Sequence, residues 1–261
     1  MIAPVLFILA AMLGVMLCAW RFQSARANGG WVDVFWSFGT GASCVASILV
    51  AGAEGAPWRR FLVAACLAAW SLRLGFYIVL RVRRGPEDVR YAEMRRQWGS
   101  SYDRKILSFL LVQAPVSALL GYAALSAARQ SEPGFRLADA LGLAIAFAAI
   151  LGEAAADRQM RRFKADPANH GQVCDRGLWA WSRHPNYLFE ALLWTSFPLI
   201  ATDLAKPSSW LSWLAPLAMG LALRYGSGVP PLEAAMVRSK GEAYRRYQQR
   251  VPVLLPFIRG R

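Results

Sequence analysis

Apolar residues come in seven long runs, at about 2–21, 33–53, 60–81, 106–128, 137–157, 186–203 and 209–229, each bounded by polar or charged residues. These runs reach or approach the roughly 20 residues that a helix needs to cross a hydrocarbon core. At that depth the backbone must satisfy its own polar groups, which a helix does within one segment. The pattern therefore predicts an all-α polytopic membrane protein with seven transmembrane helices. The first run has neither a basic start nor a small-residue cleavage site, so it is read as a span and not as a removable signal. No internal repeat and no low-complexity linker interrupts the pattern, and residues 1–261 are read as one domain.

Charge orients these spans. Lys and Arg number 30 against 16 Asp and Glu in 261 residues. Such a balance in a water-soluble chain would suggest nucleic acid; beside runs of this length it reads as topology and as an anion site, with no nucleic-acid partner. Segments 21–32, 81–105, 158–183 and 231–261 carry 2, 8, 6 and 7 Lys and Arg, while the opposite segments carry only Arg59, Arg60, Arg129, Arg136 and Lys206. The positive-inside rule then puts the N-terminus outside and the C-terminus in the cytoplasm. Three of the four cysteines, Cys18, Cys44 and Cys66, fall inside apolar runs, none forms a CxxC pair, and only His170 and His184 are present. Neither a disulfide framework nor a metal site is expected. A monomer among membrane lipids is the expected state.

The chemistry concentrates in 177–190, GLWAWSRHPNYLFE. Pro185 suits the first turn of a helix. Asn186 and Glu190 are then one turn apart, as are Arg183 and Tyr187 just outside it. A Glu one turn into a membrane helix needs a polar cavity or a ligand; the competing reading is a helix cap with an interfacial aromatic belt. In the second run Asp33, Trp36 and Ser37 share a face, where Asp33 is either a helix cap or an acid facing a cavity. Arg73, inside the third run, is a functional candidate by its depth, or the structural partner of a carboxylate such as Asp33. In RGPEDVRY, Arg90 and Tyr91 combine a cation with an aromatic that can stack on a base. Gln113 in the fourth run is a buried amide in need of a partner. Glu153, Asp157, Arg161 and Lys164 form a stripe along the fifth, either a salt-bridge ladder or a ligand-binding face. The polar loop with Asn169 and Gly171 follows, and the tail places Tyr244, Tyr247 and Val251 on one face of a short surface helix.

Taken together, WVDVFWSFG, WSLRLG, RGPEDVRY, Gln113, EAAADRQMRRFK, GLWAWSRHPNYLFE and the Tyr-x-x-Tyr tail with its LPF resemble the steroid 5-alpha-reductase family, in its bacterial branch, over nearly the whole chain. The central stretch is also similar to membrane sterol reductases, and RHPNY is shared with isoprenylcysteine methyltransferases. RHPNY alone therefore leaves NADPH and S-adenosylmethionine both open, and a membrane methyltransferase or a non-enzymatic lipid-binding protein are the alternatives.

The resemblance implies a bacterial inner-membrane reductase. It would hold NADPH on the cytoplasmic side, mostly through 106–261, and reduce the carbon–carbon double bond of an enone in a steroid-like lipid that enters from the bilayer. Cofactor residues implied are Arg90, Tyr91, Asp157, Arg161, Lys164, Asn169, Arg183, His184, Asn186, Tyr187, Glu190, Tyr244 and Tyr247. Catalytic candidates are Asp33, as a protonated donor to the developing enolate, with Arg73 and Glu54; Trp36, Trp70 and Gln113 are expected to touch substrate. The chain departs from the family where the animal enzymes carry a Gln-Glu pair in the second span and a Tyr in the third. Here Asp33 and Trp70 stand instead, and Glu54 falls in the AGAEGAP loop.

Overall fold

The structure is a computed structural model, and it describes residues 1–50 and 55–255. Among these residues every regular element is helical: α1 (Ile2–Arg26), α2 (Trp31–Val50), α3 (Pro57–Arg84), α4 (Val89–Trp98), α5 (Tyr102–Ala128), α6 (Leu137–Ala165), α7 (Pro185–Ala201), α8 (Leu214–Tyr225), α9 (Val229–Lys240) and α10 (Glu242–Arg250). Five stretches are long and apolar enough to cross a membrane: α1, α2, α3, α6, and a 40-residue stretch in which α4 runs through a tight turn into α5. The chain is on this count an integral membrane protein. α7, with 17 residues, and α8, with 12, are shorter.

The outer skin is apolar. Leu6, Phe7, Phe61, Phe76, Val112 and Phe147 are all more than half exposed. In water such a surface would drive aggregation, whereas lipid chains solvate it. Inside, the helices meet over small residues. A side chain at Gly41 would overlap Ser71 of α3, and one at Gly152 would overlap the Phe189 ring, so α2 closes on α3 and α6 on α7.

One end of the bundle is tied by a buried ion pair. Arg59 and Asp139, each 1% exposed, are joined by two bonds of 2.9 Å, and the remaining Arg59 donors reach the carbonyls of Gln130, Glu132 and Gly134. Asp139 also closes the N-terminus of α6 with Arg136. A charge this deep is tolerable only when its whole hydrogen-bonding capacity is met, as it is here.

The expected helix over 209–229 differs from the observed one. The chain enters it through a 3₁₀ segment, Pro207–Trp213, and leaves it at Gly226–Gly228. Pro230 and Pro231 do not merely end that helix. They occupy the first turn of α9, where their missing N–H groups have no helical acceptor to lose. α10 then lies on the protein: Tyr244, Tyr247 and Val251 pack with Val173, Met236 and Val237, while Arg245, Arg246 and Arg250 face out.

Candidate functional site

Two cavities open in the charged half of the bundle. The first, of about 590 Å³, lies between the end of α3, the 85–90 turn, the end of α6, the 166–174 loop and the α9–α10 pair. The second, of about 340 Å³, lies deeper, among α2, α3, α5, α6, α7 and α8, and its wall is largely apolar. Tyr77, Arg81, Arg90, Asp157, Asn186 and Tyr187 line both. The deeper chamber includes Val112, which is 64% exposed on the outer skin, so it reaches the lipid-facing side of α5 beside α8.

The 177–190 stretch builds the junction. Gly177 takes a left-handed φ of 57°, and the Leu178 N–H donates to Gln159 Oε1 at 2.9 Å, so the turn is held on α6. His184 then caps α7 and Pro185 opens it. The spacing that follows aims Asn186, Tyr187 and Glu190 into the deeper chamber. Asn186 has no side-chain hydrogen bond among the described residues, and neither does the Tyr187 hydroxyl. The Tyr187 ring stacks on His184, with centroids 5.4 Å apart and planes 9° from parallel.

Asp33 is held as an acceptor. Tyr91 Oη donates to Asp33 Oδ1 at 2.7 Å, and Arg90 bonds its other oxygen while also gripping Asp88 at 3.0 Å. The expected protonated, donating Asp33 is therefore corrected. Both Asp33 oxygens thus have a partner within the protein, and the residue lines the deeper chamber beside them. Asp88, in the turn before α4, is subject to burial, which would raise its pKa; the Arg90 and Arg81 guanidinium groups override that and hold it below the usual carboxylate range.

Arg73 pairs with Glu153 and, at 2.8 Å, with Asp157, both buried on α6, and it does not line either chamber. Its carboxylate partners are these two, in place of the Asp33 expected. Trp70 is likewise corrected as a substrate contact. It is fully buried, and its indole donates to Glu190 Oε2 at 2.8 Å while Trp194 donates to Oε1 at 2.9 Å. A buried indole N–H needs an acceptor, and this carboxylate supplies it. Arg161 lies outside the chambers, exposed, with its guanidinium 5.7 Å from the Tyr77 ring. Glu54 lies outside the described residues.

The other expected residues stand on the chamber walls. Trp36 and Gln113 line the deeper one, where Trp36 donates to Ser117 Oγ at 3.0 Å and the Gln113 amide has no partner among the described residues. Lys164, Asn169, Arg183, His184, Tyr244 and Tyr247 line the charged one. Several of these also hold the wall together. Arg183 binds Glu233 and the carbonyls of Gln248 and Val251, Tyr247 donates to the Trp179 carbonyl at 2.6 Å, and Asn169 donates to the Phe163 carbonyl.

Arg81, Asp88, Glu233 and Lys240 were not anticipated. The signal for Arg81 was available: Arg73, Tyr77 and Arg81 are spaced four apart and share one face of α3. Glu233 carried no comparable signal, because its partners Arg183 and His184 are about fifty residues away.

The His184–Glu233 pair makes the stability pH-dependent. Burial pushes the His184 imidazole below its ordinary 6.5, the Glu233 carboxylate 2.9 Å away opposing only in part. Glu233 is also subject to burial, but His184 and Arg183 bring it down to about 2 from 4.5. Both folded-state values lie below the unfolded ones, so the unfolded chain binds more protons as pH falls. The thermal midpoint should hold above pH 6.5, fall from there as unfolded His184 takes up its proton, and fall further below 4.5. His184→Asn should flatten the first limb; an unchanged limb would mean that another group sets it.

The family described as "Protein of unknown function (DUF1295)" matches residues 19–251. An uncharacterized protein of Schizosaccharomyces pombe, C594.04c, is 28% identical over 233 residues, which cover 77% of this chain and 65% of that protein. The chain thus spans less than two thirds of this relative. No solved structure matches it.

Proposed function

The chain belongs to the DUF1295 family, and we propose that it is an NADPH-dependent membrane reductase acting on the enone double bond of a steroid-like lipid. One observation carries the reading: a chamber lined by five Lys and Arg side chains shares a wall with a second chamber that opens at Val112 on the apolar skin. That arrangement suits a polar, anionic cofactor on one side and a lipid on the other.

The residues fit NADPH. The charged chamber is of dinucleotide scale, cations line it, and among the described residues neither the Asn186 amide at the junction nor the buried His184 Nδ1 has a partner. Asn186, Arg90, Lys164 and His184 would hold the cofactor, which when bound supplies a hydride. A ketone held in the deeper chamber would gain negative charge on accepting that hydride at its β carbon, a protein donor would meet the charge, and a proton from water or an acid would complete the reduction at the α carbon. Tyr187 has a donor hydroxyl at the junction, and Tyr91 stands beside it with Asp33 fixing its orientation. Leu232, Met236 and Lys240 of α9 and Tyr244 and Tyr247 of α10 form one side of the charged chamber.

In this reading α7 and the 207–225 segment are the sixth and seventh crossings. The latter spans about 30 Å, near the thickness of a hydrocarbon core. The N-terminus is then outside and the charged chamber faces the cytoplasm, as the Lys and Arg distribution requires. The lipid comes in from the bilayer beside Val112 and α8.

Purified protein should be stabilised by NADPH and not by S-adenosylmethionine, read as a concentration-dependent rise in thermal midpoint. Asn186→Ala should weaken NADPH about tenfold, the worth of one well-placed hydrogen bond, with the midpoint of the unliganded protein unmoved. Stabilisation by S-adenosylmethionine alone would overturn the reductase in favour of a methyltransferase.

A further inference from the structure

The charged chamber holds two lysines that form no ion pair among the described residues. Three of the four carboxylates on its wall are paired with arginines, and the fourth, Asp166, accepts only from neutral N–H groups. Asp88 is held by Arg81 and Arg90, Glu87 by Arg95 and the Gly29 N–H, Asp157 by Arg73, and Asp166 by the Ala168 N–H and Asn169. Arg183 is spoken for by Glu233. Lys164, in the last turn of α6, and Lys240, in the last turn of α9, line the same chamber, and neither forms an ion pair among the described residues. They lie close enough to repel each other. The ends of their helices contribute only about half a negative charge each, so both ammonium groups remain open to an incoming anion.

We propose that Lys164 and Lys240 together bind a phosphate monoester, and that this pair selects NADPH over NADH. The inference rests on the dinucleotide reading above, and the monoester it names there is the 2′-phosphate of the cofactor. In a dinucleotide's pyrophosphate each phosphorus bears one ester and one anhydride bond and about one charge, whereas a monoester approaches two charges and has three free oxygens, which two ammonium groups can share. Lys240 belongs to α9 and Lys164 to α6, so the bound anion also draws the covering helices onto the bundle. The same chemistry has a second source in a membrane, the headgroup of phosphatidic acid.

The test uses the full chain in nanodiscs of phosphatidylcholine, with NADPH and NADH titrated against tryptophan fluorescence. Lys240→Gln and Lys164→Gln should each weaken NADPH about 10- to 100-fold, as loss of a charge-assisted bond would, and NADH by less than about twofold; Lys240→Arg should keep most of the preference. Equal weakening of both dinucleotides, or of neither, overturns the pair as a monoester site while leaving the reductase reading in place. If the unmodified protein binds neither dinucleotide, the reductase reading fails and discs containing phosphatidic acid decide the inference. A thermal midpoint raised by that lipid and not by phosphatidylglycerol, with the rise lost in Lys240→Gln, supports the pair, and no rise overturns it.

Discussion

Arg73→Ala should lower the stability of the bundle by about 3–5 kcal/mol, the usual effect of removing one partner from a buried ion pair. Arg73 neutralises Glu153 and Asp157, each 5% exposed, with the Glu190 carboxylate close by. Without the guanidinium, Glu153 loses its ion-pair partner and Asp157 keeps only the weaker influence of Arg81 and Arg161, so the carboxyl groups face one another poorly screened. The loss should appear as an earlier tryptophan-monitored transition in a mixed-detergent unfolding series. Adding Asp157→Asn should return part of the loss, because the two residues act as one unit. An unchanged transition accompanied by lost turnover would contradict the structural role and restore Arg73 as the catalytic group its depth in the sequence suggests.

Tyr187→Phe should cut turnover by about 10²- to 10³-fold, the effect of deleting one donor to a developing oxyanion. The thermal midpoint should stay put, because the hydroxyl has no protein partner to lose among the described residues. NADPH affinity should change little if the ring still stacks on His184. Tyr91→Phe makes the contrast: it removes the 2.7 Å bond to Asp33, so stability and turnover should fall together. Full activity in Tyr187→Phe would shift the donor role to Tyr91 or to the Gln113 amide across the chamber.

Helices were legible because lipid depth permits little else, and the run boundaries fall within a few residues of the observed α1, α3 and α7. The junction was also legible: Asn186, Tyr187 and Glu190 follow from helical spacing after a proline, and all three reach the deeper chamber. Pairing was not. Nothing near Arg73 in the chain tells that Glu153 and Asp157, eighty residues on, will claim it, or that two indoles will clamp Glu190. A motif names polar side chains that must be satisfied, but it does not separate those satisfied by the protein from those left without a side-chain partner among the described residues. Asp33, Arg73 and Trp70 fall in the first group. Asn186, Tyr187 and Lys164 fall in the second. The division depends on contacts between distant segments, which periodicity does not encode. The start of α9 shows the same limit at short range, where the two prolines mark a break from one side and a beginning from the other.

Six side chains face both chambers, so neither compartment can be filled without disturbing the walls of the other. Binding energies linked through common groups are reciprocal: whatever factor the first occupant imposes on the second, the second imposes on the first. On the proposed reading, inhibitors lodged in the deeper compartment should therefore show potencies that shift with nucleotide concentration, and a screen run without nucleotide would rank them in the wrong order.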